Sequence, residues 1–312
     1  MTLTEMLDGW LEEHQKEYVK RQTYVRYRSV VNNYVRGTVL GEREIGQITR
    51  KDMQDFVNNL RRFVSRRTGK PLAPGTVNNA FTVLQSAFGY AEDYGLVDEN
   101  PCVRIHRMPK APDAGSEKCF TVKEQQLFEK YVDGLNDPSC YGYILCLYTG
   151  LRIGEFCALT WKDVDLTAGT ISVNKSVYNS VDDAGRWKMM TDTPKTRTSF
   201  REIPLPDHVV RALRKIRKKS KSEYLCASAA GERITPWAFR YRFDAILREA
   251  GVRHITFHGL RHTFATRAIE HGMDVRTLSE ILGHSNPSVT LNVYTHSMDD
   301  HKRNMMRMMQ RV

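Results

Sequence analysis

The sequence predicts a mainly α-helical protein with a small antiparallel β-sheet. It divides into a helical domain over residues 1–100, a linker over 101–118, a mixed α/β domain over 119–298 and a C-terminal tail over 299–312. Three observations predict this. Apolar residues recur at helical spacing through the first hundred positions. The stretch 100–118 holds Pro101, Pro109, Pro112 and Gly115 and loses that period. Residues 169–200 change character: TISVNKSVY alternates, Gly185 marks a turn, and the stretch from TPKTR onward reads as extended. With 312 residues, 41% hydrophobic and 27% charged, the chain can pack two cores and lies outside the disordered range.

Four helices account for the first domain. Leu3, Met6, Leu7, Trp10, Leu11, His14 and Tyr18 form the first stripe, and Tyr27, Val30, Val31 and Tyr34 the second, which ends near Gly37. Thr49 opens the third, with Asp52 in the capping-box position and Met53, Phe56, Val57 and Leu60 as its apolar face. A basic loop from Arg61 to Lys70 precedes the fourth. That helix starts at Pro74-Gly75, carries Val77, Phe81, Leu84, Phe88 and Ala91, and stops at Gly95. In the second domain Thr121 and Glu124 form another capping box. An apolar helix runs through Tyr143 to Leu147 and breaks at Gly150, and another spans Ile153 to Leu159. TISVNKSVY and TPKTRTSFREIPL supply the sheet. Helices resume over Asp207–Lys219, Trp237–Ala250, His258–Glu270, Val275–Leu282 and Pro287–Tyr294.

Lys plus Arg number 47 against 36 Asp plus Glu, a net charge of +11. That balance suits a polyanionic partner, nucleic acid before anionic membrane. The six cysteines show no zinc or CxxC spacing and read as reduced thiols of a cytoplasmic protein. The N-terminus lacks the basic-then-apolar pattern of a signal peptide, and no apolar run approaches the ~20 residues of a membrane span.

Four islands of the second domain carry chemistry: TGLRIGE around Arg152, TPKTR around Lys195, HGLRH from His258 to His262, and LGHSNPSVTLNVYTH from Leu282 to His296. Singly, each has an ordinary structural explanation: a surface arginine, a solvated lysine, a helix-cap histidine, a half-buried tyrosine. Together they fit one reaction. Leu260, Phe264 and Ala268 form a core stripe, while His258 and Arg261, three apart, share a neighbouring face. Gly283 suits a left-handed helix end and leaves His284 on the turn just past it. Asn286 and Pro287 open a further helix, with Tyr294 about two turns on. Two arginines, two histidines, a lysine and a tyrosine, with no carboxylate cluster or cysteine ligand set, point to metal-free and cofactor-free chemistry on a phosphate. The DVD run at Asp163–Asp165 allows a metal pair, but it sits at a helix-to-strand turn and the islands need no metal.

The islands resemble the phage integrase, or tyrosine recombinase, family, with its Arg…Lys…His-x-x-Arg…His…Tyr signature. The resemblance spans nearly the whole chain and is most specific from Gly150 to His296. It implies a core-binding helical first domain, a catalytic second domain, and a clamp of the two around double-stranded DNA. Carried over by motif, Tyr294 is the nucleophile, and Arg152, Lys195, His258, Arg261 and His284 complete the catalytic set. Lys195 is chosen over Lys175 and Lys188 for its spacing to the IPL segment at Ile203–Leu205. Planar guanidinium forks at Arg152 and Arg261 suit the charge that grows on nonbridging oxygens and favour the phenolate of Tyr294. His258 accepts or relays the phenol proton. The resemblance makes Lys195 the acid for the leaving 5′-oxygen, and His284 a hydrogen-bond partner of the phosphate. Glu155 matches an acidic position of the family, with an orienting role.

The activity so implied is site-specific cleavage and rejoining through a 3′-phosphotyrosyl intermediate and a Holliday junction, integrating or excising a mobile element. The implied assembly is a homotetramer on synapsed sites, monomeric when free, near the nucleoid, with an excisionase or host DNA-bending factor and without a membrane partner. The methionine-rich tail is expected to dock on a neighbouring protomer. Basic segments at Arg61–Lys70 and Arg211–Lys221 are candidates for phosphate contact, and Asn78, Asn79, Gln85, Arg240 and Arg242 for base contact. Many mobile-element integrases carry a further arm-binding domain before the core-binding helices, so a simple recombinase or a trimmed chain is expected. A type IB topoisomerase would use similar tyrosine chemistry; the helical first domain and the HGLRH and LGHS spellings favour a recombinase. A non-catalytic relative would have lost part of the set.

Overall fold

A computed structural model of the chain describes residues 1–65, 68–109, 119–135, 137–181, 186–192, 200–228 and 230–284. The chain divides into two compact units, Met1–Asp113 and Ala114–Val312. The fold class is the predicted one, helical with a minor antiparallel component. Among the described residues no helix is long and apolar enough to cross a membrane.

In the first unit the expected opening helix comes in three pieces: α1 (Leu3–Gly9), a π-helical stretch (Trp10–Gln15) and α2 (Lys16–Tyr18). The wider turn keeps Trp10 and Leu11 in the core. His14 instead meets the rings of Tyr18 and Tyr90. Next come α3 (Arg21–Tyr34), α4 (Arg50–Arg62) and α5 (Pro74–Asp93). The Thr49 hydroxyl accepts from Asp52 N, and the Asp52 carboxylate accepts from Thr49 N, forming the predicted capping box. α5 is the core helix of this unit, burying Val77, Phe81, Leu84, Phe88 and Ala91; each large apolar side chain contributes about 1.5–3 kcal/mol. Residues 105–108, within the stretch read as linker, run along this unit. The Gln54 amide pairs with the backbone of His106, and the Asn78 amide with that of Met108. Residues 110–118 lie outside the described ones.

The second unit opens with α6 (Val122–Gly134), capped by the predicted Thr121–Glu124 box. α7 (Tyr141–Thr149) is apolar nearly all round and is buried accordingly. α8 (Ile153–Ala158) follows. Among the described residues five strands come next: β1 (Val164–Asp165), β2 (Thr170–Val173), β3 (Ser176–Val181), β4 (Trp187–Asp192) and β5 (Arg201–Pro204). Four helices close the described chain: α9 (Asp207–Lys219), α10 (Pro236–Glu249), α11 (His258–Glu270) and α12 (Val275–Leu282). The expected helix over Pro287–Tyr294 and the tail lie outside the described residues.

The predicted sheet is two antiparallel pieces, one ordered β1-β2-β5 and the other a β3–β4 hairpin. TISVNKSVY is therefore not one strand. Asn174 and Lys175 both turn to the Asp163 carboxylate, at 3.3 and 2.7 Å, and break the ladder between β2 and β3. The same contacts, with those from Thr160, occupy Asp163, while Asp165 accepts from the backbone of Thr167 and Ala168. The DVD run is thus capping and pairing machinery. Beneath the sheet, Tyr143 stacks on Phe239 at 4.1 Å, and its hydroxyl donates to the Phe239 carbonyl. Phe156, Phe243 and Phe257 pack around this pair. All six cysteines are free thiols, five of them buried.

Candidate active site

The site is assembled by two helices that end on glycine. α7 stops at Gly150, whose φ of +63° closes the helix. A Cβ there would lie 2.6 Å from Leu282 Cδ2 and 2.7 Å from Phe264 Cδ1, so this glycine also lets α11 and α12 approach α7. α12 stops at Gly283, with φ +66°. The turn leaves His284 just past the helix end, its N–H donating to the Ser279 carbonyl at 3.0 Å.

Three consecutive carbonyls at the end of α12 each receive a different arginine. Arg201 Nε donates to Ile281 O at 2.6 Å, Arg261 Nη2 to Leu282 O at 2.8 Å, and Arg152 Nη2 to Gly283 O at 3.4 Å. The last turn of a helix has unpaired carbonyls and a negative pole, so guanidinium groups are favourable partners there. Arg261 also donates from Nη1 to Gly150 O at 2.8 Å and so joins both helix ends. It is 3% exposed, whereas the Arg152 side chain is 39% exposed.

Glu155, on the first turn of α8, ties the arginines together. Its carboxylate accepts both Nη groups of Arg201, at 3.2 and 2.8 Å, as well as Arg152 Nη1 at 2.8 Å and Arg152 N at 2.9 Å. Burial raises its pKa, but Arg201 and then Arg152 outweigh that and bring it down to about 2. This carboxylate is therefore ionised and orients two guanidinium groups.

His258 opens α11, and its ring meets His262 edge-on at 4.8 Å. Partial desolvation, then the charges of Arg261 and Arg152, lower its pKa. Because the residue remains exposed, the two charges are the firmer cause. His284 is lowered to about 4 by desolvation, then by Arg261, Arg152, His258 and Arg201. Both imidazoles are neutral near pH 7. A cavity of about 370 Å³ is lined by Arg152, Arg240, Asp244, His254, Thr256 and His258. A larger open cleft elsewhere, beside Asp137 and Arg242, contains none of these groups.

Of the six residues drawn from the sequence, Arg152, His258, Arg261 and His284 come together here. Lys195 and Tyr294 lie outside the described residues. Lys175 is paired with Asp163, and Lys188 is exposed on β4. Arg240 lines the cavity, whereas Arg242 pairs with Asp137 at 2.7 Å. Asn78 spends its amide on Met108, and Gln85 is bonded to Arg107, which argues against base contact by either. Arg201 escaped the sequence reading. The available signal was strand alternation: two residues before buried Ile203, it shares that residue's inward face.

Comparison with known proteins gives the family. The description "Phage integrase family" matches residues 138–301, and "Phage integrase, N-terminal SAM-like domain" matches residues 2–61. The chain belongs to the phage integrase family. Its relatives include a XerC-like tyrosine recombinase of Caldanaerobacter subterraneus subsp. tengcongensis, 29% identical over 97% of this chain and 81% of that protein. The tyrosine recombinase XerC of Oceanobacillus iheyensis is 30% identical over 84% of this chain and 81% of its own. The ICEBs1 integrase of Bacillus subtilis is 25% identical over 92% and 77%. As a phage integrase family member, the chain is a tyrosine-type site-specific recombinase. Among solved structures, the Tn1549 transposon integrase in complex with a circular intermediate DNA superposes with a TM-score of 0.82, at 24% identity, over 98% of this chain and 99% of that one. A lambda integrase tetramer bound to a Holliday junction gives 0.67, at 19% identity, over 92% and 78%.

Proposed function

We propose that the chain cleaves and rejoins duplex DNA with Tyr294 as nucleophile, and that it integrates or excises a mobile element. The observation that carries this is the convergence of Arg152, Arg261, His258 and His284 at the end of α12, the helix that comes shortly before Tyr294 in the sequence. The phenolic oxygen of Tyr294 attacks the scissile phosphorus. A phosphotyrosyl bond forms to the 3′ side, and the bond to the 5′-oxygen breaks. Neutral His258 takes the phenol proton, and Lys195 gives one to the leaving 5′-oxygen, which departs as a hydroxyl. Arg152 and Arg261 stabilise charge on the nonbridging oxygens, and His284 adds a hydrogen bond. The pairing of Lys175 with Asp163 counts against that lysine as the acid. The ester keeps the bond energy, so attack by a 5′-hydroxyl from a second duplex rejoins the strands without a metal ion or ATP.

The partner is double-stranded DNA. The working assembly is a homotetramer on two synapsed sites that passes through a Holliday junction, built from chains that are monomeric when free. The lambda integrase tetramer on such a junction supports this by analogy, and the ICEBs1 and Tn1549 integrases support a mobile-element role. An excisionase or a host DNA-bending factor sets direction, and the net charge of +11 keeps the protein with the nucleoid. The test uses a nicked suicide duplex selected by binding to this protein from a random pool. A covalent protein–DNA adduct is expected without divalent metal and is absent in Tyr294→Phe. An adduct that survives this change, or that requires a metal ion, would refute the assignment.

A further inference from the structure

We infer that Arg201 is a positioning residue: through Glu155 it sets the guanidinium of Arg152, and through Ile281 O it sets the helix end that carries His284. The inference rests on the proposed phosphate chemistry of Arg152 and His284. Its own basis is geometric. The Arg201 side chain is 5% exposed, and its guanidinium is committed to the Glu155 carboxylate and the Ile281 carbonyl. Its guanidinium bonds to two elements distant in sequence, Glu155 on α8 and Ile281 on α12.

Packing makes the arrangement specific. A Cβ on Gly283 would stand 3.0 Å from Arg201 Nη1 and 3.1 Å from its Cδ, so the guanidinium is the surface on which the helix-ending glycine rests. The bidentate pair with Glu155 fixes the carboxylate plane, and the carboxylate presents its remaining acceptor sites to Arg152 side chain and backbone. A lysine would keep the charge but could not hold two carboxylate oxygens and a carbonyl in one plane. Arg201 also opens β5, directly after the segment that holds Lys195. One side chain thus meets three parts of the site: the strand following Lys195, the helix behind Arg152 and the turn before His284.

The test compares Arg201→Lys, Arg152→Ala and the double variant in the full chain, with the selected suicide duplex as probe. Affinity for the duplex and the rate of adduct formation are measured separately. Arg201→Lys is expected to leave affinity within about twofold while slowing the adduct about 10- to 100-fold, the scale of a small misplacement of a reacting group. In the Arg152→Ala background the same change is expected to cost several-fold less than in the wild type, because the part of its effect that passes through Arg152 is already gone and only the part through the His284 turn is left. A wild-type rate in Arg201→Lys, or losses that multiply fully, would overturn the inference and leave the proposed chemistry standing. An undiminished adduct in Arg152→Ala would overturn the chemistry, and the inference with it. If circular dichroism shows Arg201→Lys unfolded, Arg201→Met combined with Glu155→Met removes both buried charges, and the same non-additivity with Arg152→Ala decides.

Discussion

Two helices end by the same backbone device and differ in everything around it. α5 closes at Gly95, with φ +68°, and Leu96 N returns to Ala91 O at 2.7 Å. A Cβ on Gly95 would meet nothing within 4 Å. α12 closes at Gly283, with φ +66°, and there a Cβ would strike Arg201 while three arginines hold the last carbonyls. At Gly95 the glycine only stops a helix. At Gly283 it stops a helix against a charged platform, so the turn has a fixed direction as well as an end. The comparison teaches that a helix cap becomes part of a site when its carbonyls are held by side chains from other elements.

The comparison can be broken in order of expected effect. Arg261→Met removes the donor to Gly150 O and Leu282 O and is expected to lower the adduct rate about 10³-fold, or about 4 kcal/mol, with duplex binding retained; single-turnover kinetics read it. Glu155→Gln should cost about 3 kcal/mol at pH 7 in urea unfolding, since the folded pKa near 2 lies below the unfolded 4.5. The stability from a lowered carboxylate pKa is present above 4.5 and is lost as pH falls from 4.5 to about 2. The variant should lose this contribution to the acid slope. Gly283→Ala should cost about 2 kcal/mol and slow the adduct at least tenfold, whereas Gly95→Ala should cost about 1 kcal/mol with its rate unchanged. Equal kinetic effects would show that the platform is irrelevant. Thr49→Ala, at a peripheral cap, should cost about 1 kcal/mol and alter no rate.

His284 contributes a separate acid sensitivity. Its folded pKa of about 4 lies below the usual 6.5, so the favourable neutral form is complete above 6.5 and stability is lost as pH falls from 6.5 towards 4. His284→Asn should remove that part of the acid slope in pH-dependent melting, and an unchanged slope would refute it.

Local features were legible in the sequence because their partners are near in the chain. The capping boxes at Thr49 and Thr121, the glycine stops at Gly95, Gly150 and Gly283, and the helix that starts at His258 all rest on contacts within a few residues. Arg152, His258, Arg261 and His284, the four candidate residues that meet at the end of α12, could be singled out for a different reason: their motifs resemble those of the family. Arg201 was not legible because its partners lie 46 and 80 residues away, and a lone arginine before IPL looks like any strand-end charge. The split of the sheet was hidden likewise, since Ile171, Val173 and Val177 keep one register and a single lysine between them, at position 175, does not reveal the contact with Asp163 that breaks the ladder.

The grip on α12 has an electrostatic consequence for the substrate. Three guanidinium groups alone would attract any phosphodiester strongly, in its resting form as much as in reaction. Here Glu155 and the negative pole of α12 are embedded among them, leaving about one and a half positive charges. In the proposed reaction, a field of that size holds a singly charged diester loosely and gains most as a second negative charge develops on its oxygens. It favours the crest of the reaction over both its ends, which suits an enzyme that must let go of the DNA it has rejoined.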